Sequence, residues 1–508
     1  MMILDCTLRD GGYYTNWDFP DKVVDCYLSA MNRLPVDVIE VGYRNNPSKE
    51  YLGRFGYTPR YVLERIRQQC EKKIAVMINE KSTQPSDLPR LVGDLVGFID
   101  TVRISVDPSR FDSAVLLAQQ CKTMGFDVGF NVMYMSTWSE RDGFIDKLSS
   151  VGDCIDVLCM VDSFGGITPE EVVSICSDLK NRLSCRIGFH GHNNLQFAMA
   201  NTLAAVSAGC DVVDSTILGM GRGAGNLPTE LLLTYLNSKG LDLDFNVLGD
   251  AVAAFQPLFE QHRWGTQLPY MIAGANSLPQ REVMAMVTNR VYSFNSIVRG
   301  LQNRRNNILD NAKYPIFNDS HCDEVLIVGG GPSPIENAEA LRHFVASRQS
   351  IAIIYATARY AGLFGALEVP QYYCLVGRES RRLESHIGTT SFTSYCILPP
   401  YPRTLGTEVP AMAEGRTFEL SEISFTDDFK DSCTTLALQT SLELSARTIW
   451  ITGYDGYPSS VLSEKESSLT RENRMLFSRF IKYSGFRPIS LTNTLYTELE
   501  PRSVYQML

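Results

Sequence analysis

The 508 residues carry a formal net charge of -10, and 44% of them are hydrophobic. The apolar content is ample for large cores, and a chain of this length exceeds what one core usually organises, so we expect two domains. The net negative charge argues against a nucleic-acid partner, because binding to phosphate backbones usually needs a basic surface. Without a leader pattern or a run long enough to cross a bilayer, the sequence predicts a cytoplasmic protein with no membrane partner, and we expect a homo-oligomer.

The first 221 residues alternate short apolar runs with amphipathic segments of helical length. The predicted strands are residues 2–10, 37–42, 73–79, 98–105, 127–134, 156–164, 186–192 and 212–221. Helices are predicted between them, for example at residues 109–125 and 169–183. Eight strand–helix repeats of this length predict a (β/α)8 TIM barrel, whose strands are buried on both faces and therefore apolar throughout. An open, doubly wound parallel sheet is the alternative.

The rest of the chain predicts a helical extension and a second domain. Residues 229–300 read as mostly helical, so the barrel domain with its extension is expected to cover residues 1–300. Residues 301–320 are polar, rich in Asn and without periodicity, which predicts a linker. A strand, a glycine turn and a helix then begin at Glu324, and further strand-like runs follow. They predict a Rossmann-like α/β domain over residues 321–508.

Four polar motifs stand where predicted barrel strands end, which is where barrel enzymes build their sites. They are TLRDGG, DSFGG, HGHNN and GMGRGAGN. His190 and His192 are two residues apart on a predicted strand, so their side chains point to the same face. Imidazole nitrogens suit a divalent transition metal, and a carboxylate from another strand end would complete a mixed set of donors; Asp10 is the best candidate. The alternative is a pair of histidines in an ordinary strand.

In combination, TLRDG, HxHN and the late glycine-rich GxGxxxGN resemble the metal-dependent pyruvate-type lyases and aldolases related to hydroxymethylglutaryl-CoA lyase and 4-hydroxy-2-oxovalerate aldolase. The resemblance covers about residues 1–300. It implies that Asp10, His190 and His192 bind a divalent metal (Mn, Mg, Zn or Co) and that Arg9 contacts an enolate oxygen. It also points to Asn226, which closes the glycine-rich motif, as a residue at or near the metal.

The chemistry of Arg9 supports this interpretation independently. Making or breaking a bond next to a ketone builds negative charge on the carbonyl oxygen, and a metal can stabilise that charge as a Lewis acid. A guanidinium that stays protonated and presents its donors in a rigid fork adds to the effect. We therefore expect an aldolase that makes or cleaves a 4-hydroxy-2-oxo acid through a pyruvate enolate, with a 2-oxo acid and an aldehyde as partners.

The sequence departs from the family at the general acid/base. Related 4-hydroxy-2-oxo acid aldolases carry a His a few residues after RDG, whereas this chain reads RDGGYYTNW and has Tyr13 there. A phenol is a poor base at neutral pH unless a cation lowers its pKa. Tyr13, Tyr14, Glu40 and Tyr270 are therefore all candidates for the acid/base or for substrate contacts.

Two further residues at predicted strand ends have open roles. Glu40, in IEVG, could instead support Arg9 as a neighbouring carboxylate. Ser163, in DSFGG, is a candidate for binding the keto or carboxylate group of the substrate, and a role in the turn is the alternative.

Two other functions remain as alternatives. Related acetyl-CoA-using synthases carry a Glu-Gln pair after RDG, where this chain has Gly12 and Tyr13. This favours an aldolase over an acyl-CoA lyase or synthase of the same fold. A barrel that has lost its chemistry and serves as a scaffold is the other possibility, but such a barrel has no physical need for converging nitrogen and oxygen donors.

In the second domain, VGGGPSP (residues 328–334) follows a predicted strand and opens a helix, where backbone amides could hold a phosphate. A simple tight turn is the alternative. The segment resembles the glycine turn of Rossmann-like domains in certain sialyltransferases and polysaccharide-associated proteins. That resemblance implies that Gly330, Pro332 and Ser333 lie near a nucleotide or sugar phosphate, with Asp455 opposite. A fusion that condenses an activated sugar with a pyruvate unit would use both domains.

Overall fold

The computed structural model describes residues 1–49, 51–288, 294–306, 313–318, 321–377, 379–387, 392–403, 408–458 and 464–508. The chain divides into two compact units, Met1–Ala285 and Met286–Leu508. The predicted linker at residues 301–320 stays a prediction, because several of its residues fall outside these ranges. Among the described residues, no helix is long and apolar enough to span a membrane.

The first unit is a closed barrel of eight parallel strands, which confirms the predicted TIM-barrel fold. The strands are β1 (Met2–Asp5), β2 (Val38–Tyr43), β3 (Lys73–Asn79), β4 (Thr101–Val106), β5 (Asp127–Val132), β6 (Val157–Asp162), β7 (Arg186–Gly191) and β8 (Val212–Ser215). Each strand pairs with the next, and β8 closes the barrel on β1 with Met2 opposite Val212. All eight carboxyl ends therefore meet at one rim.

Helices surround the barrel and continue after it. They are α1 (Thr7–Asp10), α2 (Gly12–Thr15), α3 (Asp21–Arg33), α4 (Arg54–Tyr57), α5 (Arg60–Gln69), α6 (Leu88–Leu91), α7 (Phe111–Thr123), α8 (Phe144–Ser149), α9 (Pro169–Arg182), α10 (Ala198–Ser207), α11 (Thr229–Asn237), α12 (Phe245–His262), α13 (Leu268–Ala275), α14 (Gln280–Thr288) and α15 (Phe294–Arg305). The start of α9 is fixed by a capping box, in which Thr168 and Glu171 each bond the backbone of the other.

Several strands end earlier than their sequence patterns predict, and the motif residues lie in the turns that follow. β1 stops at Asp5 rather than at residue 10. The Asp5 carboxylate accepts hydrogen bonds from the N–H of Thr7 (2.9 Å) and from its hydroxyl (2.6 Å), which turns the chain into α1. Arg9 and Asp10 are therefore held on a buried helical turn at the rim, not on the strand itself.

The interior of the barrel changes from apolar to charged along the strands. One cluster of apolar side chains comprises Leu4, Cys6, Val38, Ala75 and Val212, of which Val38 and Val212 begin their strands. Glu40 and Asp214 stand two residues beyond Val38 and Val212 on β2 and β8. Because side chains two apart on a strand share a face, both carboxylates point into the same interior, nearer the carboxyl rim.

The second unit is built on an eight-stranded sheet whose paired strands are all parallel, which confirms a second α/β domain. Its strands are β9 (Glu324–Val328), β10 (Ile351–Tyr355), β11 (Gln371–Cys374), β12 (Tyr395–Leu398), β13 (Thr417–Glu419), β14 (Thr448–Thr452), β15 (Ile489–Ser490) and β16 (Glu500–Pro501). Its further helices are α16 (Ser333–Glu336), α17 (Ala338–Ala346), α18 (Glu379–Ile387), α19 (Cys433–Glu443) and α20 (Glu464–Ser484). The sheet order is β13-β12-β11-β10-β9-β14-β15-β16. Strands β10 to β13 are therefore added on one side of β9 and strands β14 to β16 on the other. In open sheets of this kind, ligands bind outside the carboxyl ends of the strands at such a switch point.

Candidate active site

The two histidines of HGHNN lie at the end of β7 with their rings fixed by hydrogen bonds. His190 Nδ1 lies 2.9 Å from Asp214 Oδ2, and His192 Nδ1 lies 2.7 Å from the carbonyl oxygen of Asp162. Since the carbonyl can only accept, His192 carries its proton on Nδ1. These contacts leave Nε2 of each ring available as a ligand atom, an arrangement typical of histidines that bind metals. Both side chains are almost completely buried.

Asp10 approaches the same point from α1. Ligand atoms of Asp10, His190 and His192 all lie within 4.8 Å of one another. The Asn226 amide Nδ2 donates to Asp10 Oδ2 at 2.5 Å, while Asn226 Oδ1 is buried and has no hydrogen-bond partner among the described residues. Gly221 permits this approach, because a Cβ there would lie 2.3 Å from Asn226 Nδ2 and 2.8 Å from Asp10 Oδ2. The structure thus brings together all four residues that the sequence predicts as metal ligands.

Electrostatics keep these donors in the forms that bind cations. Burial would raise the pKa of Asp10, but Arg9, His190, His192 and the hydrogen bond from Asn226 together hold that pKa below its ordinary value. Burial, together with the neighbouring His190 and Arg222, lowers the pKa of His192 to about 3. At neutral pH the site therefore presents a carboxylate and a neutral imidazole.

A chain of buried charges runs beneath the donors and crosses the barrel. Arg9 Nε donates to Glu40 Oε2 at 2.8 Å, and the same oxygen accepts a bond from Arg103 Nη1 at 3.2 Å. Arg103 Nη2 in turn donates to Asp214 Oδ2 at 2.7 Å, the oxygen that His190 also contacts. Strands β2, β4, β7 and β8 and the turn after β1 are joined in this way, and Glu40 is completely buried.

A cavity of about 290 Å³ opens above the donors at the rim. The residues that line it are Arg9, Asp10, Tyr13, Tyr43, Met77, Asn79, Lys81, Ser105, Asp107, Arg110, Asn131, Met133, Tyr134, Val161, Ser163, His190, His192 and Arg222. Arg9 is bonded through Nε to Glu40 and through Nη1 to Asp10, and Nη2 has no hydrogen-bond partner among the described residues. The remaining amino group of Arg9 is therefore available to a ligand.

The other predicted site residues divide into two groups. Tyr13 and Ser163 line the cavity, whereas Glu40 and Tyr270 do not. The Tyr13 hydroxyl lies 3.2 Å from that of Tyr43, whose pKa burial raises well above its ordinary value. Ser163 Oγ accepts a hydrogen bond from the Tyr134 N–H at 2.8 Å.

Tyr270 and Tyr14 lie against the glycine-rich loop and do not line the cavity. Tyr270 is buried, and its backbone carbonyl accepts a bond from Asn194 at 2.8 Å. The Tyr14 hydroxyl donates to the carbonyl of Gly223 at 2.9 Å. The two tyrosines support the loop that carries Asn226 rather than facing the cavity.

Sequence reasoning missed three residues of this site. Arg103 and Asp214 are single charges inside the apolar runs TVRISV and VVDS. A charge in a strand that is buried on both faces is unusual, and this signal could have identified them. Arg222 was visible within GMGRGAGN as a cation in a loop of small residues.

The second unit has a cavity of about 610 Å³ at the switch point beside β9. Gly330 and Pro332 of the glycine turn line it, as do Ser432 at the start of α19 and Asp455 after β14. Ser333 does not line it, because its hydroxyl lies 2.9 Å from that of Thr492 and accepts a bond from the Gly453 N–H at 3.1 Å.

Comparisons with known proteins place the barrel among lyases. The HMGL-like family model matches residues 107–251. The 4-hydroxy-2-oxovalerate aldolase of Chloroflexus aurantiacus is 34% identical over 270 residues, covering 50% of this chain and 77% of that protein. The oxaloacetate decarboxylase of Mycobacterium tuberculosis is 27% identical over 253 residues, covering 48% of this chain and 73% of that protein.

A solved structure resembles part of the chain. The crystal structure of the N-terminal domain of a candidate aldolase from Bacteroides vulgatus is 57% identical, with a TM-score of 0.56, and covers 59% of this chain and 99% of that one. The closed barrel and these matches define a TIM-barrel lyase of the aldolase type. The chain belongs to the HMGL-like family of metal-dependent, pyruvate-type aldolases and lyases.

The buried charges predict a large stability effect at Asp214. Asp214→Asn keeps the shape of the side chain but removes the negative charge between Arg103 and His190. We expect the free energy of unfolding to fall by about 3 kcal/mol or more, the usual cost of leaving a buried charge without its partner. Urea denaturation followed by circular dichroism measures this. Asp146→Asn, at an exposed ion pair with Arg182, is the matched control and should change stability little. Equal effects of both substitutions would contradict the proposed importance of the buried chain.

Proposed function

We propose that the barrel is a divalent-metal-dependent aldolase that makes or cleaves a 4-hydroxy-2-oxo acid through a pyruvate enolate. The observation that carries this proposal is the convergence of Asp10, His190 and His192 beside the partly unpaired guanidinium of Arg9. The aldolase relatives support it.

In this proposal Asp10, His190 and His192 hold the metal, with Asn226 Oδ1 as a further oxygen donor. The residues fit such an ion, because both imidazoles turn Nε2 away from their hydrogen-bonded side and Asn226 Oδ1 is buried without a partner among the described residues. A bound divalent ion would act as a Lewis acid on the keto group of the 2-oxo acid. A mixed nitrogen and oxygen set is compatible with Mn, Mg, Zn or Co.

Arg9 supplies the fixed positive charge of the reaction. Its Nη2 group donates to the keto oxygen as negative charge develops there, and the rigid fork holds that donor in place before the reaction. Glu40 is a positioning residue: it is completely buried, and its Oε2 accepts bonds from Arg9 and Arg103. It orients Arg9 rather than touching the substrate.

Tyr13 is proposed to move the proton on the aldehyde side. In the condensing direction the methyl group of the 2-oxo acid loses a proton to solvent and its carbon bonds to the aldehyde carbon. The Tyr13 hydroxyl then donates a proton to the aldehyde oxygen and is reprotonated from solvent. The Tyr13 hydroxyl lines the cavity and lies 3.2 Å from that of Tyr43. Ser163 is proposed to bind the 2-oxo acid, and Tyr270 to act only through the loop it supports.

The volume of the cavity separates this proposal from the acyl-CoA alternative. About 290 Å³ is at the small end of the roughly 300–1,000 Å³ typical of small-molecule sites. A space of this size suits a 2-oxo acid with a short aldehyde. A whole acyl-CoA would have to extend beyond it.

For the second unit we propose a phosphorylated ligand, such as an activated sugar, whose product or precursor the barrel condenses with pyruvate. Residues 1–300 would then form the aldolase domain and residues 321–508 the ligand domain, joined by residues 301–320. The cavity of about 610 Å³ at the switch point supports this. Gly330 and Pro332 would lie beside the phosphate, and Ser333 would hold the turn from behind.

We expect the purified protein to contain a divalent metal and the variant His190→Ala/His192→Ala to lose it, because only one strong donor would remain. Elemental analysis of dialysed protein measures the metal. The matched control is His343→Ala/His386→Ala, which removes two exposed histidines of the second unit. Full metal content in the first double variant would refute the assigned ligands.

We expect the metal-loaded protein to exchange the methyl protons of pyruvate with deuterated water when no aldehyde is present, because exchange needs only half of the reaction. Arg9→Lys should slow exchange by about 10²–10³-fold, the usual cost of losing one oxyanion donor. Proton NMR follows the signal of the methyl group. Arg60→Lys, at an exposed pair with Glu64, is the control.

The same assay tests the acid/base. If Tyr13 acts on the aldehyde side, Tyr13→Phe slows condensation more than exchange. Loss of exchange together with condensation would instead make Tyr13 the base that deprotonates pyruvate. A wild-type protein that exchanges neither pyruvate nor any other simple 2-oxo acid would refute the aldolase proposal.

For the second unit, we expect a nucleoside diphosphate sugar to bind to the full-length protein and Gly330→Val to weaken that binding by about tenfold or more. A side chain at Gly330 points into open space, with Thr357 Cγ2 as the nearest atom at 3.6 Å, so it should occupy the cavity without disturbing the fold. Isothermal titration calorimetry with a panel of such sugars measures binding. Unchanged affinity in the variant would exclude this cavity as the site.

A further inference from the structure

Arg222 is a cation of the barrel cavity that lacks a carboxylate partner. Three arginines line this cavity. Arg9 is paired with Glu40 and Asp10, and Arg110 lies 2.7 Å from Glu80. Among the described residues, Arg222 has neither an ion pair nor a hydrogen bond, and its Nε atom is buried.

An unpaired guanidinium in such a place has an energetic cost, although Arg222 as a whole is only partly buried. Its Nε is shielded from water and has no partner among the described residues, so that hydrogen-bonding capacity is unmet. Losing the proton does not relieve this cost: burial lowers the pKa of Arg222, but Tyr13 and Asp10 raise it further, and the net pKa lies above its ordinary value. The cation therefore persists and has room for an anion.

The surrounding contacts hold Arg222 in place. Its guanidinium lies over the ring of Tyr13, 5.1 Å from the ring centre. The next residue, Gly223, has a φ of +68°, and its carbonyl is held by the Tyr14 hydroxyl at 2.9 Å. The glycine on the other side, Gly221, is packed against Asp10. Arg222 is thus held in the same site as the proposed metal ligands.

The position beside Tyr13 identifies which part of the substrate Arg222 faces. In the proposed reaction Arg9 and the metal ligands act on the 2-oxo acid, whereas Tyr13 acts at the aldehyde oxygen. A group that packs on the Tyr13 ring is on the aldehyde side. Lys81, an exposed cation that also lines the cavity, has no carboxylate partner among the described residues either. The site therefore offers one more cation than the single carboxylate of a 2-oxo acid requires.

We propose that Arg222 binds an anionic group on the aldehyde partner, so that the substrate is a 4-hydroxy-2-oxo acid with a carboxylate or a phosphate at its far end. This inference rests on the proposed aldolase function. Arg222 is a specificity-determining residue: a guanidinium pairs with either anion through two parallel hydrogen bonds. Neutral aldehydes leave its charge without a partner and are poor substrates.

The test compares charged and neutral aldehydes of similar size in condensation with pyruvate. One pair is glyceraldehyde 3-phosphate and glyceraldehyde; the other is succinate semialdehyde and pentanal. We expect kcat/KM in the wild-type protein to favour the charged member of at least one pair by about tenfold or more, as a charge-assisted hydrogen bond provides. The pair that shows the preference identifies the anion.

Variants then assign the preference to Arg222. In Arg222→Met the ratio of the two kcat/KM values should fall to near one, and Arg222→Lys should restore part of it. The ratio is the relevant quantity, because any loss common to both aldehydes cancels. A wild-type ratio near one, or an equal loss for both aldehydes in Arg222→Met, would overturn the proposal and leave Arg222 a support for Tyr13.

Binding of unreactive analogues tests the same assignment without turnover. Calorimetry with succinate and with glycerol 3-phosphate should show an affinity at least tenfold weaker in Arg222→Met than in the wild-type protein. Equal affinity would overturn the proposal even if the protein is active. Absence of pyruvate exchange in the wild-type protein, by contrast, would refute the aldolase function, and the analogue measurement would still decide whether Arg222 is an anion site.

Discussion

The geometry of the site depends on the chain of charges inside the barrel, in which Glu40 joins Arg9 to Arg103 and Asp214 joins Arg103 to His190. Each of these groups would be costly to bury alone, and together they neutralise one another. Because the members come from different strands, a strand that shifts breaks a contact on each side of it. The closure of the barrel and the orientation of the ligand atoms therefore depend on the same contacts.

The barrel could be predicted from the sequence because its strands are buried on both faces and so appear as apolar runs at regular intervals. Their ends could not be predicted, since a local hydrogen bond, such as the one from Thr7 to Asp5, stops a strand within an otherwise favourable run. In the second unit the first strand was clear, but β15 and β16 have only two residues each and leave no detectable pattern.

The residues of the site also divide into those that could be predicted from the sequence and those that could not. Asp10, His190 and His192 could be predicted because motifs at strand ends converge in any barrel, whatever the details of its loops. The motifs do not show which side chains line the cavity: Tyr13 and Tyr270 were both candidates from the sequence, yet of the two only Tyr13 lines it. Charges such as Arg103 are hard to interpret because their partners are remote in the chain, and only the folded barrel brings them together.

Arg222 differs from the other cations of the site in its position along the chain. It belongs to a glycine-flanked loop after β8, and no member of the buried chain of charges depends on it. Under the proposed assignment, exchanging this side chain would keep the buried chain of charges, so the barrel is evolvable at this position: those contacts can be inherited intact while the choice of partner drifts. The same property offers a single position at which an engineer could retarget the enzyme.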